Sequence, residues 1–389
     1  MLEKALQGNS RYWGWLGFLV LVIAVCGGFW IFQLQKGLTI TGMSRDVSWG
    51  FYIAQLTYLV GVAASGVMVV LPYYFHHYQK FKKMVILGEF MAIGAVLMCM
   101  LFVVVDLGQP QRMMNMILHP TPNSILFWDM IVLNGYLFLN LLVGWITLQS
   151  ERMHVHPPKW IYFFVYLSII WAFSIHTVTA FLYQGLPGRH YFLTAIMAAR
   201  FLSSAFCAGP AILLLIAFVL KRVSGFDPGR EAIRSLAKII TYAMCVNVFF
   251  FLLEVFTAFY SNIPGHMAPL EYLFVGMQGK TGMVPWMWTF AVLAILSIIL
   301  LVPPKLRDNP KLLPWSLAIL ILATWIDKGL GLLIGGFSVT PFETVTEYAP
   351  TFPELMISLG VYATGALVIT VLFKVAVSVR RENLDLKAE

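Results

Sequence analysis

The 389-residue chain is 60% hydrophobic and only 11% charged, with a mean hydropathy of +0.81. Soluble domains carry about 25% charged and about 45–50% apolar residues, so this chain cannot cover a water-facing surface and leaves no room for a large soluble domain. The net charge of +8 would suit nucleic acid only if Lys and Arg formed a face. They fall instead between apolar runs and read as topology signals.

Ten runs are long enough to cross a bilayer, at roughly 20 residues each. In chain order they are span 1 over 13–34, span 2 over 50–75, span 3 over 84–106, span 4 over 124–148 and span 5 over 160–183. Span 6 covers 199–221, span 7 233–260, span 8 284–302, span 9 313–334 and span 10 355–379. The expected fold is an all-α integral membrane protein, residues 1–389 forming a single membrane domain. Ile23-Ala24-Val25-Cys26 in span 1 is lipobox-like, but Val is too large just before a processed Cys, so span 1 reads as a transmembrane helix. Cys26, Cys99, Cys207 and Cys245 all sit in apolar runs with no C-x-x-C pair, which argues against thiolate metal sites and disulfides.

An even number of spans puts both termini on one side, with the loops after spans 2, 4, 6 and 8. That side holds nineteen of the Lys and Arg residues; the other holds five, Lys36, Arg45, Arg112, Arg189 and Lys280, and Arg200 and Lys328 fall within spans. The positive-inside rule therefore places both termini in the cytoplasm.

Ionisable side chains inside spans are functional hypotheses by default. Asp106 ends span 3, Asp129 lies one turn into span 4, His176 precedes the end of span 5 and Arg200 opens span 6. Glu254 lies near the end of span 7, and Asp327 and Lys328 near that of span 9. At 1.5 Å per residue all are expected within roughly 10 Å of the outer edge, as if lining a cavity open to that face. Each also has a structural reading. Asp106 before Gly108 and Pro110 suits a helix cap, Asp327 and Lys328 a local neutralising pair, and His176 a satisfied core histidine. Glu254 and Asp129 suit structural pairing, with Arg200 as the available cation.

Glu89 stands apart near the cytoplasmic end of span 3, as an interfacial residue or the inner half of a proton path, for which Ser65, Asn140 and Asn247 are the other polar candidates. His76 and His77 are adjacent, so they face different ways, and only His176 lies at depth. No haem is expected.

Spans 2–5 (50–183) and 6–9 (199–334) can be laid over one another as a parallel repeat, with spans 1 and 10 flanking two four-helix bundles. Asp106 then corresponds to Glu254 and His176 to Asp327, while Ala63-Ala64-Ser65-Gly66 and Ala205 to Gly209 form small-residue patches that permit close helix approach. The external loops 107–123 and 335–354, the latter with Glu343, Glu347 and Glu354, are long enough to close over a cavity or dock a partner but not to hold a redox centre.

Asp106-Leu-Gly-Gln-Pro-Gln-Arg112 and Ser174-Ile-His176-Thr-Val, running on to Pro187-Gly-Arg-His190, resemble the NrfD/PsrC (polysulfide-reductase-like) family of membrane subunits. Trp49-Gly-Phe-Tyr-Ile-Ala-Gln55, the stretch from His119 to Asp129 and Phe259-Tyr-Ser-Asn-Ile-Pro-Gly-His266 are similar to its DsrP-type branch, the ten-span subunits of Dsr transmembrane complexes in sulfur-metabolising prokaryotes. The likeness covers about 44–270 and extends to the rest by topology.

The resemblance implies a cofactor-free subunit, without haem or iron–sulfur cluster of its own, in a prokaryotic cytoplasmic membrane. It would exchange electrons between menaquinone or another quinone and a periplasmic ferredoxin-like iron–sulfur subunit (DsrO-like). Further implied partners are a cytochrome b-type membrane subunit, a multihaem cytochrome c and a cytoplasmic iron–sulfur subunit. Carried over by position, the quinone pocket falls on Tyr52, Gln55, Asp106, His176 and Tyr183; some relatives have a His where this chain has Tyr52. A quinone site needs donors to both oxygens and a group that exchanges protons. His176 has the range for that exchange, with Asp106 to hold its tautomer. Asp129, Arg200, Glu254, Asp327, Lys328 and Glu89 would complete proton transfer. The competing expectation is a secondary transporter or proton-translocating channel-like subunit. Its site would lie near the midplane on broken helices, for which the charges look too close to the outer face and Gly-Pro breaks such as Gly209-Pro210 too few.

Overall fold

A computed structural model describes residues 2–75 and 78–385. His76, His77 and the side chain of Ser65 lie outside the described residues. Among those described, ten helices are long and apolar enough to span a membrane: Ser10–Ile40, Phe51–Tyr74, Gln79–Asp106, Ile125–Arg152 and Ile161–Gln184, then Met197–Ser224, Arg230–Tyr260, Val284–Leu301, Leu313–Ser338 and Phe352–Arg380. They keep the names span 1 to span 10. No β-strand forms among the described residues, only isolated bridges at Met277–Lys280 and Val339–Val345. The chain is a multi-pass integral membrane protein.

Local chemistry sets the helix ends. The Asn9 side chain accepts from the Tyr12 N–H at 2.9 Å and caps span 1. Gly225, at φ 69°, ends span 6 in the left-handed region that glycine enters without penalty. Pro264 opens a further helix, Pro264–Phe274, between spans 7 and 8; no apolar run of span length marks it. Span 6 runs unbroken through Gly209 and Pro210, since a membrane helix re-satisfies the carbonyl that proline frees. The breaks lie elsewhere. Span 2 tightens into a 3-10 turn at Ala64–Gly66, and span 9 widens into a π-helical turn at Trp325–Gly331.

Spans 2 to 5 pack as one ring, 3 on 2, 4 on 3 and 5 on 4, and spans 6 to 9 as another, with span 9 returning onto span 6. Span 2 is the seam between them, touching span 6 and the π turn of span 9, and 94% of its apolar window is buried. Span 10 lies along spans 1 and 3. Small residues allow the close crossings. A Cβ at Gly61 would stand 3.4 Å from the Ala205 Cα, and one at Gly66 would meet the Gly88 carbonyl oxygen at 3.0 Å. The small-residue patch of span 2 thus serves two neighbours, spans 3 and 6.

At the end opposite the termini, loop 335–354 is strapped across the second ring. Arg189 donates to the Phe337 carbonyl at 2.9 Å, to that of Val339 at 3.3 Å and to that of Asp46. Gln278 Nε2 reaches the Glu343 carbonyl at 2.9 Å, and Glu347 accepts from the Gly282 N–H at 2.7 Å. Loop 107–123 forms a 3-10 turn at Pro110–Met114 and a short helix at Asn115–Leu118, largely exposed.

Candidate functional site

The buried polar groups are strung along span 2 and the seam. Nearest the loops, the Tyr52 hydroxyl donates to Gln33 Oε1 at 2.7 Å, and Gln33 Nε2 donates to the Val105 carbonyl at 2.6 Å. Asp106 follows at the end of span 3, half-buried, its Oδ1 without a hydrogen bond. Glu354, fully buried, accepts from the Gly42 and Thr351 N–H groups at 2.8 Å each and from the Tyr348 hydroxyl at 2.7 Å. Tyr348 in turn accepts from the Phe51 N–H at 2.7 Å, capping span 2.

One turn further along span 2, Gln55 Oε1 accepts from Trp325 Nε1 at 2.8 Å and the Tyr362 hydroxyl at 2.7 Å. Gln55 Nε2 is left without an acceptor. Thr57 donates its one proton to the Ile53 carbonyl at 2.7 Å, so Tyr183 is the donor in the hydroxyl contact between Tyr183 and Thr57. Trp49, Phe192 and Phe201 pack around the Tyr183 ring.

Deeper in the seam, His176 Nδ1 lies 3.1 Å from the Ala172 carbonyl, which fixes the proton on Nδ1 and leaves Nε2 unpartnered. Nearby, Lys328 Nζ donates to the Phe201 carbonyl at 3.2 Å and stands 4.2 Å above the centroid of the Phe201 ring. Arg200 holds both Glu254 and, at 3.1 Å, Asp327, all three side chains being 4–9% exposed. Ser203 donates to Asn247 Oδ1 at 3.3 Å one turn on.

Three expectations are corrected. Asp106 does not orient His176: the Nδ1 proton of that ring goes to the Ala172 carbonyl, and Asp106 Oδ1 and His176 Nε2 are each left without a partner. Asp129 is not paired with Arg200 but accepts from Thr179 at 2.7 Å, across the packed faces of spans 4 and 5. Asp327 and Lys328 do not neutralise each other, because the π turn sends Asp327 to Arg200 and Lys328 to the seam.

Glu89 is 3% exposed and neither carboxylate oxygen has a hydrogen bond; Gly144 of span 4 makes room chiefly for the neighbouring Phe90 ring, which a Cβ there would meet at 2.9 Å, with Glu89 Oε2 at 3.4 Å. Gln33, Thr57, Trp325, Tyr362 and Glu354 join the polar groups although sequence reading passed over them as site residues. For Gln33 the signal was present, as an amide inside an apolar run. Among the described residues no three of His, Cys, Asp and Glu come together as metal ligands would.

The sequence model described as polysulphide reductase, NrfD matches residues 39–341. A Halobacterium salinarum protein assigned as a membrane subunit of dimethyl sulfoxide reductase is 23% identical, over 92% of this chain and 89% of its own. The Hdr-like menaquinol oxidoreductase integral membrane subunit of Archaeoglobus fulgidus is 24% identical over 79% of this chain and 74% of its own. The menaquinone reductase integral membrane subunit of Nitratidesulfovibrio vulgaris is 23% identical, over 94% and 91%.

Proposed function

The chain belongs to the polysulphide reductase NrfD family, and from that membership we propose that it is the quinone-interacting membrane subunit of a respiratory oxidoreductase complex. It exchanges electrons between the membrane quinone pool and an iron–sulfur partner at the face opposite the termini, both termini being cytoplasmic. Two relatives are named for menaquinol or menaquinone chemistry, which makes menaquinone the favoured substrate. We further propose a DsrP-like place in a complex of sulfur metabolism, with a DsrO-like iron–sulfur partner; this rests on the motif strings at 49–55, 119–129 and 259–266.

One observation carries the site assignment. Of the five positions proposed for quinone binding, Gln55, Asp106 and His176 each keep one hydrogen-bonding atom without a partner. Buried polar atoms are almost always satisfied, so orphans mark places where a ligand or water completes the set. Gln55 Nε2 can donate to a quinone oxygen, while His176 Nε2 and Asp106 Oδ1 can accept from a quinol hydroxyl. The donors and acceptors of a two-proton, two-electron exchange are therefore present in this chain. Tyr52 and Tyr183 have their hydroxyl protons committed to Gln33 and Thr57, so they position the wall and do not themselves donate.

Around His176 stand Lys328 on the Phe201 carbonyl and the Arg200-linked pair of Asp327 and Glu254, and we assign these, with Asp129, to proton exchange at that face. Glu89 is assigned to the inner half. The breaks in spans 2 and 9 suit the transporter or channel-like alternative, but the charges on span 9 are held by protein partners, which favours a fixed relay over an open substrate site. The test is quenching of tryptophan fluorescence by a quinone analogue on the purified protein. Gln55→Leu and His176→Ala should each weaken binding at least tenfold with the fold intact, and unchanged binding in both would remove the assignment.

A further inference from the structure

We propose that the second ring carries its own quinol site, beside Glu254 and outside the Gln55–Asp106–His176 set. A cavity of about 310 Å³ opens there between the 191–196 stretch, the end of span 7 and the helix Pro264–Phe274. That is within the range of small-molecule pockets, about 300–1,000 Å³. Its polar wall is Glu254, Thr194, Thr257 and His266, and its apolar wall includes Leu253 and Leu270.

The carboxylate explains the choice of ligand. Glu254 gives Oε2 to Arg200, while its Oε1, in a side chain 9% exposed, accepts no hydrogen bond, with the Thr194 hydroxyl nearby. An acceptor held this way is matched by a hydroxyl donor. The Thr257 hydroxyl can serve a second oxygen of the same ring, and His266 also lines the cavity. A hydroquinone has that arrangement, two hydroxyls at opposite ends of a flat apolar ring, and the acceptor at Glu254 favours the reduced form over the oxidised one.

The neighbouring surface accounts for the tail. Leu270 is shared with a second, larger groove of about 640 Å³, walled by Phe251, Phe259, Phe274 and Trp288 and apolar apart from Glu271. A ligand with its ring beside Glu254 and its tail passing Leu270 into this aromatic groove uses both spaces at once. A free polar solute would leave the groove empty, and an alkyl lipid would leave Glu254 Oε1 unmatched.

This inference rests on the quinone reading above, and the test separates the two. Thr257 lies exposed on the rim, so Thr257→Trp fills the cavity without touching the Arg200 ion pairs. Binding of reduced menaquinone-1 to the purified protein is measured by titration, with thermal unfolding as the check on folding. Wild type should bind two equivalents, Thr257→Trp and His176→Ala one each, and the double variant none. A single equivalent lost only in Thr257→Trp also supports the site, and moves quinol binding away from His176. A single equivalent lost in His176→Ala and untouched by Thr257→Trp overturns the second site and leaves the quinone reading standing. No binding by wild type overturns both.

Discussion

Arg200 is the only cation bonded to Glu254 and Asp327 among the described residues, so Arg200→Met orphans two carboxyl groups inside the membrane. Breaking a buried ion pair typically costs about 3–5 kcal/mol. The ceiling is set by keeping both carboxyls neutral. At pH 7 an ordinary glutamate, titrating near 4.3, is about 2.7 pH units from protonation and an aspartate about 3.1; at about 1.36 kcal/mol per unit this totals about 8 kcal/mol. At pH 5 the same reckoning leaves about 2.5 kcal/mol. The sign follows from linkage: a carboxyl that must be neutral when folded but ionises when unfolded stabilises the fold below its unfolded pKa, and that contribution is lost as pH rises. Chemical unfolding of the variant in lipid nanodiscs should show a deficit of about 3–5 kcal/mol at pH 7 that shrinks markedly at pH 5. The triple variant Arg200→Met, Glu254→Leu, Asp327→Leu should recover most of it, because no orphaned charge remains. A deficit below about 1 kcal/mol at pH 7, within the range of an exposed pair, or one equal at both pH values, refutes the buried-triad reasoning.

Gly66→Leu should destabilise by about 1–3 kcal/mol through overpacking, since its Cβ meets the rigid Gly88 carbonyl, whereas Gly14→Leu, with nothing within 4 Å, should be neutral by the same unfolding assay. Tyr183→Phe should cost about 1 kcal/mol by removing the hydroxyl contact with Thr57, and adding Thr57→Val should restore part of that loss; strictly additive losses would contradict the pairing. Burial, and then the neighbouring His190, hold the His266 imidazole below its usual range. His190→Ala should therefore raise the His266 titration seen by histidine-selective NMR; in the native protein this group's stabilising share falls as pH drops through about 6.5. Lys280→Cys should react with an impermeant thiol reagent in intact cells and Lys311→Cys only after permeabilisation; the reverse pattern would invert the assigned orientation.

The ten spans were legible because a membrane demands long apolar runs, and these survive any error in how helices face one another. The polar positions were legible for the same reason, since a charge in such a run is conspicuous. Their partners were not, because partner choice depends on helix rotation and level. Asp129 meets Thr179 through the packing of spans 4 and 5, and Trp325–Gly331 reads as ordinary helix until its π turn sends Asp327 and Lys328 to different neighbours. The Pro264–Phe274 helix, which walls the cavity beside Glu254, carries too short an apolar run to announce itself.

Electron exchange with the quinone pool is tested most directly on the assembled complex. Membranes containing the chain with its native partners are treated with menaquinol, and reduction of the partner iron–sulfur centres is followed by electron paramagnetic resonance. Reduction that is rapid with wild type and at least tenfold slower with His176→Ala and Gln55→Leu, the centres remaining reducible by dithionite, is the predicted result. Centres that menaquinol leaves oxidised in wild type, or reduces equally fast in both variants, would contradict it.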